Sequence, residues 1–547
     1  MTAGDFQPPG PGSWERDLSH CPPAPTPLFR RVMQTAITTG YRQVFDDYGA
    51  PLETMDLQMV HGGMYRRLVP LVGADRGGAP PPRPILWLAS RLHPAFRRQN
   101  RKALELFANK QHLEPLAEWA SSERQWWIDA NRQLQDEDVA QMTDSQLADH
   151  VERVGAHLMA GNIRHHVLHG TDMGPIGDLL SHSARWGVDP VEVMMLLKGS
   201  SPATTEAAEF GAAIAAGVIA DGGDPMSISS IDEIQGVGAL AAAALNDYLD
   251  LYGWRLLTSY DIEGLAVSEL PSSVVALMKA NVEGVDDPTV GLAEAESSLR
   301  STVPVEHREY FDELLDDARR AYGLRDDNGP LTAEWPLGLT RRAYLEAGAR
   351  LAAAGRSTIP ERVFEVDIEE LSAMLRGAET PTKTELDTRR AHRDWEASLA
   401  PPAVLGDAPV DVDPTVLPKG LRRVTESVLA CVSMLEKEPG GTPLEGMGIG
   451  ERAYTGRARL ADRPEDVLGT FEAGDVLVAA WTAPTYNAVI ASAGAIIVEE
   501  GGLLCHAAVM ARELGVPAII GATDALATIN DGDMVTVDPV AGVVTVA

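Results

Sequence analysis

The chain has 547 residues, 45% hydrophobic and 23% charged, the balance of an ordinary globular protein with room for more than one core. Its 79 acidic and 46 basic residues leave a net charge of −33, a field that repels nucleic acid and anionic membranes and obliges any nucleotide site to gather its own positive charge. Three scattered cysteines (Cys21, Cys431, Cys505) form no disulfide framework, no signal-peptide pattern opens the chain, and no run reaches the roughly 18 apolar residues of a membrane span, so a cytoplasmic location is expected.

Residues 1–27 are rich in Pro and Gly and read as an extended lead-in. From 28 to 72 helical periodicity alternates with turn signals, and GADRGGAPPPRP (73–84) reads as a loop. A helical pattern then dominates to about residue 399, for instance over Asp144–Met159 and Tyr310–Ala321, with turns at GVDP, KGSSP, DGGDP and RDDNGP. The run Val237–Leu245 reads as an alanine-rich helix interrupted at Asn246 and Asp247. Residues 28–399 are therefore expected to form one large, mainly α-helical domain.

The texture changes near Leu399. Five prolines between Ala400 and Pro418 mark a linker over 400–445, which also contains a helix at Leu421–Leu435 and a second break at EPGGTP. After Glu445, short β-branched runs (Asp475–Val478, Ala495–Val498, Ala518–Ile520, Met534–Val537, Val543–Val546) alternate with short helical segments. The expected fold is multidomain: the helical domain, then a small α/β (β/β/α) domain over 446–547.

Two clusters stand out before the linker. In Arg164–Asp172 (RHHVLHGTD), His165 and His169 are four residues apart and share a helix face. A metal pair would need a third ligand and none is evident, which leaves structural histidines or a catalytic base. The basic stretch Arg91–Lys102 is unusual in an acidic chain. It reads either as a solvated helix face or as a seat for a partner or for nucleotide phosphates.

The most informative segment is GGLLCHAAVMARELGVPAIIG (501–521). A strand, AIIVEE, leads into Gly501-Gly502, a turn, His506 and a helix that Gly515 and Pro517 should stop. His506 then sits at a helix N-terminus, where free N–H groups and the positive dipole end favour an anion. A neutral imidazole is a competent nucleophile, and Gly501 and Gly502 would let the backbone approach a phosphate. On the residues alone, such a histidine is more often a helix cap or a partly buried packing residue. Cys505 reads as a packing residue, because no base accompanies it. Arg512, six residues on, does not share His506's helix face.

This segment resembles the phosphohistidine signature of the swivelling domain found in the PEP-utilising enzymes: pyruvate phosphate dikinase, phosphoenolpyruvate synthase, rifampicin phosphotransferase and phenylphosphate synthase. GMGIGERAYTGRARL (446–460) looks like that domain's opening hairpin, GDVLVAAWTAPTY (474–486) like its strand and Thr-x-Pro-type turn, and DGDMVTVDPVAGVVTV (531–546) like its closing hairpin. The resemblance implies that His506 is phosphorylated and that Arg512 and Glu513 occupy the family's Ala-Arg-Glu positions. Leu504 stands where the family often has Thr or Ser, so a hydroxyl that could orient the imidazole is missing.

The first 400 residues carry a weaker resemblance to the helical acceptor domain of the rifampicin-phosphotransferase group, through PGSWERDLSHCPPAPTPLF (11–29), DLYGWRLLTSYDI (250–262), DDARRAYGLRDDNG (316–329) and the stretch from 340 to 371. By that resemblance Arg255 and Asp261 join His165 and His169 as acceptor-site candidates, although Arg255 would equally pair with an acid in the helical core. No Walker loop, ATP-grasp texture or phosphoenolpyruvate barrel is recognised, and GMGIG precedes a hairpin pattern rather than a helix. The resemblance therefore implies a phosphotransferase component. ATP and Mg²⁺ would sit on a partner ATP-grasp subunit, as in phenylphosphate synthase, and the acceptor would be a phenol or other small alcohol. A rifamycin-type antibiotic kinase and a non-catalytic phosphohistidine carrier are the alternatives.

Overall fold

A computed structural model of the chain describes residues 6–17, 21–73, 81–284, 289–409, 413–435, 443–461, 466–467, 470–482 and 486–547. Parts of the lead-in and most of the 73–84 loop and of the EPGGTP break lie outside the described residues.

Strand β1 (Ser13–Arg16) precedes α1 (Pro27–Asp47), which Thr26 caps by accepting the Phe29 N–H while Pro27 takes the first helical position. The chain then forms a hairpin, β2 (Leu52–Val60) and β3 (Gly63–Pro70), turning at His61 and Gly62 with φ of 44° and 75°. Two central residues at positive φ give the turn the twist that an antiparallel pair needs. The helical reading of 28–72 misses this hairpin; the His-Gly dipeptide between LETMDLQMV and GMYRRLVP is its signal.

Helices α2 (Arg83–Leu92), α3 (Pro94–Ala108) and α4 (Arg124–Gln135) follow, then the 42-residue α5 (Asp144–Arg185). Next come α6 (Pro202–Ala220), α7 (Ala239–Tyr252), α8 (Pro271–Ala280), α9 (Leu292–Thr302) and α10 (Arg308–Gly329). Helix α7 continues through Asn246 and Asp247. Both are exposed, while Leu245 and Tyr248 are buried, so the polar pair lies on the solvent face and interrupts nothing. Helices α11 (Trp335–Ala353) and α12 (Lys383–Ala397), strand β4 (Val404–Gly406) and α13 (Lys419–Leu435) lead into the C-terminal part.

The contacts divide the chain into two compact units. The first comprises residues 1–174, 259–264 and 328–426; the second comprises 175–258, 265–327 and 427–547. Among the described residues the first unit contains an antiparallel sheet of order β2-β3-β1-β4. Residues 259–264 belong to it for a clear reason. The Thr26 N–H and hydroxyl donate to Asp261 at 2.7 and 2.6 Å, Arg341 donates to the Ile262 carbonyl at 2.8 Å, and Arg393 binds Glu263.

The second unit combines α6 to α9 and nearly all of α10 with a seven-stranded sheet. Its strands are β5 (Met447–Ile449), β6 (Tyr454–Ala461), β7 (Val476–Ala479), β8 (Ala495–Val498), β9 (Ala518–Ile520), β10 (Met534–Asp538) and β11 (Val543–Val546), in the order β11-β10-β6-β7-β8-β9-β5. Strands β6 to β9 are parallel neighbours, and alternate side chains enter separate cores on the two faces. Burial on both faces explains why these strands read as unbroken Val, Ile and Ala runs. The closing hairpin β10–β11 forms as expected. The opening hairpin does not. Strand β5 pairs with β9 at the sheet edge, while β6 lies between β10 and β7. A Cβ at Gly448 would stand 1.7 Å from the Pro539 carbonyl oxygen, so only glycine lets β5 lie this close. Among the described residues no helix is long and apolar enough to cross a membrane.

Candidate active site

The connection leaving β8 turns at Gly501, whose φ is 112°. A Cβ there would press within 2.8 Å of the Cys505 Cβ and Sγ, so Gly501 makes room for Cys505 rather than for a side chain of its own. The Leu504 N–H donates to the Met434 carbonyl at 2.7 Å, fixing the loop before the helix. His506 is the first residue of α14 (His506–Leu514), and Gly515, at φ 68°, ends the helix.

Both ring nitrogens of His506 are engaged. Nδ1 lies 3.0 Å from the Thr482 hydroxyl oxygen and Nε2 lies 2.7 Å from Asn487 Oδ1. With the amide oxygen facing the ring, Nε2–H donates to Asn487 and the Thr482 O–H donates to Nδ1. Transfer to either nitrogen requires its bond to open, so the ring is held in a resting tautomer. Burial, and then the nearby Arg325 guanidinium, push the imidazole down to about 3, so the ring is neutral and nucleophilic at neutral pH. Arg325, on α10, also donates to the Leu504 carbonyl at 3.3 Å. A cation thus stands beside a neutral imidazole at a helix N-terminus, the set of charges that would receive a phosphoryl group.

Thr482, Asn487 and Arg325 were not among the residues singled out from the sequence. Thr482 lies in the Thr-x-Pro turn, and its hydroxyl supplies the orientation that Leu504 cannot. Asn487 begins a one-turn helix, Asn487–Ile490, and no local pattern announces it.

Arg512 is buried. It donates to the Leu503 carbonyl at 2.7 Å and to the Tyr322 hydroxyl at 3.0 Å. Glu513 is also buried and accepts the Gly199 N–H at 2.9 Å. Cys505 occupies the N-cap without a side-chain capping bond, and burial raises its thiol, which opposes thiolate chemistry. Gly502 is buried, and its carbonyl accepts the Cys505 N–H at 3.0 Å.

The acceptor candidates fall in different units. His165 and His169 are in the first, on α5, with ring centroids 4.6 Å apart. His165 Nδ1 meets Asn328 Oδ1 at 2.6 Å, and His169 Nδ1 meets the buried Asp172 carboxylate at 3.2 Å. Asp261 is in the first unit too, where it fastens the 259–264 segment. Arg255 is in the second unit, buried with its guanidinium 3.8 Å from the centroid of the Tyr252 ring, whose hydroxyl donates to Glu206. Among the described residues, no group of three or more His, Cys, Asp or Glu is placed to hold a metal ion.

His506 opens a helix beside a parallel sheet, and both this sheet and the helices before it are similar to known proteins. Residues 471–542 match the PEP-utilising enzyme mobile domain, and residues 212–326 match the rifampicin phosphotransferase fourth domain. Two separate stretches of the chain are thus similar to a PEP-utilising mobile domain and to a rifampicin phosphotransferase helical domain. It is 29% identical over 327 residues to a rifampicin phosphotransferase of Streptomyces sviceus, covering 56% of this chain and 35% of that protein. It is 27% identical over 317 residues to the Bacillus subtilis rifampicin phosphotransferase, covering 55% and 34%. Over 110 residues it is 41% identical to the phosphoenolpyruvate synthase of Aeropyrum pernix, covering 20% and 13%. The chain spans about a third of the length of the rifampicin phosphotransferases it matches.

Proposed function

We propose that this chain is a phosphotransferase component in which His506 carries the phosphoryl group. A partner ATP-grasp subunit would bind ATP with Mg²⁺ and transfer the β-phosphoryl group to the His506 imidazole with release of AMP, water taking up the γ-phosphoryl group as inorganic phosphate. The phosphoimidazole would then pass the group to the hydroxyl of a phenol or other small alcohol. The observation that carries this reading is the neutral His506 ring, oriented by Thr482 and Asn487 at a helix N-terminus beside Arg325. Deprotonating the acceptor hydroxyl needs a base, and His169, with its ring held by the buried Asp172, suits that role. The linker around 400–445 would let the mobile domain serve donor and acceptor in turn.

The names of its relatives favour a second acceptor, a rifamycin-type antibiotic. One experiment separates the readings. The chain is mixed with a stand-alone ATP-grasp protein and ATP labelled in its β-phosphate, and wild type is compared with His506→Ala. Label should enter wild type and be absent from the variant; equal labelling of both would overturn the assignment. Discharge of the label to phenol supports the small-alcohol reading and discharge to rifampicin the antibiotic one. Label that neither acceptor removes points to a carrier.

A further inference from the structure

Arg512 and Glu513 sit side by side on α14, and both reach residues of the same unit outside the sheet. Arg512 binds the Tyr322 hydroxyl on α10, and Glu513 Oε2 takes the Gly199 N–H in the turn before α6. Turn and helix form one seat, because a Cβ at Gly323 would lie 2.7 Å from the Ser200 carbonyl oxygen. The Ser201 hydroxyl donates to Asp326 at 2.9 Å across the same junction. Glu513 is only half satisfied there: Oε1 is buried with no hydrogen-bond partner among the described residues. The charged or titratable groups facing it are Lys198 in the turn, Asp326 and the Tyr322 hydroxyl on α10, and Arg512 on its own helix. Arg512 directs its two Nη groups to Leu503 and Tyr322.

We propose that Arg512 and Glu513 are positioning residues that seat the His506 helix on Tyr322 and Gly199, with Glu513 taking up a proton as the seat closes and releasing it as the helix leaves. The proposal rests on the reading above that the histidine domain moves between donor and acceptor. A buried carboxylate with one unpaired oxygen is costly, and protonation removes that cost. Burial holds the seated carboxyl up at about 7, against an ordinary value of 4.5. Because the seated value is raised, the seat is favoured fully below the ordinary carboxylate range, and the preference is lost as pH rises through about 7. The ratio of seated to released forms should fall by on the order of a hundredfold across that window.

Hydrogen exchange of the full chain, corrected for intrinsic rates and followed from about pH 5.5 to 8.5, tests this. Protection of peptides spanning 196–201 and 318–326 should fall steeply with pH in wild type. In Glu513→Gln it should stay high and flat. Tyr322→Phe, which keeps the ring but removes the partner of Arg512, should lower protection at every pH and keep the slope. A pH-independent wild type, a Glu513→Gln variant with the wild-type slope, or seat peptides that open only together with β7 and β8 would each overturn the proposal. His506→Ala should leave this exchange unchanged. Absence of phosphoryl uptake therefore counts against the proposed function alone, and a flat pH profile against the seat alone.

Discussion

Thr482 holds Nδ1 of His506, and Asn487 holds Nε2, from either side of one short connection. An imidazole free to rotate would lose the geometry needed for in-line attack, so these neighbours act by orientation rather than by charge. Replacing Thr482 with Val keeps the side-chain volume and removes the hydroxyl. The loss of one orienting bond is worth about 1 kcal/mol, so labelling of His506 should slow by about fivefold without loss of fold. Equal labelling rates would show that Asn487 alone suffices. The reactive histidine is legible in the local sequence because helix start, glycine turn and stop signal all lie within a few residues of it. Its partners are not, because Thr482 and Asn487 arrive from residues 24 and 19 positions earlier.

At the level of elements, the buried strands β7, β8 and β9 and the hairpin β10–β11 follow their apolar patterns closely. Helix α7 shows where such reading goes astray: two polar residues suggested an interruption, yet both face solvent and the buried stripe continues past them. Strand β5 shows the opposite case. It is adjacent in sequence to β6 but pairs with β9, a choice made by close backbone contact rather than by local turn chemistry. Substituting Gly448 with Ala forces a Cβ against the Pro539 carbonyl, and overpacking of that kind costs about 1–3 kcal/mol. Thermal denaturation should therefore show a lowered Tm for Gly448→Ala, and an unchanged Tm would mean that β5 can shift aside cheaply.

Across the whole molecule, ion pairs between distant segments decide which pieces of chain belong together. In the first unit Arg393 binds Glu365 at 2.8 Å and Glu263 at 2.7 Å, and it also donates to the Ala24 carbonyl. Glu365 is almost wholly buried, so removing its partner strands a charge. Arg393→Met should destabilise the fold by about 3–5 kcal/mol, measured by denaturant titration, whereas Arg390→Met at the exposed rim should cost about 1 kcal/mol or less. Equal costs would mean that the buried pair is not a fastening. By itself the sequence determined the histidine at its helix start, the strand runs of the C-terminal sheet and the helical character of most of what precedes it. These depend on periodicity and capping, which act over a few residues. Only the tertiary structure decided that residues 259–264 leave their neighbours for the first unit, that helical residues 175–258 and 265–327 join the histidine domain in the second, and that Thr482, Asn487 and Arg325 surround His506. Those choices rest on hydrogen bonds and charges between residues far apart in the chain, and no local pattern records them.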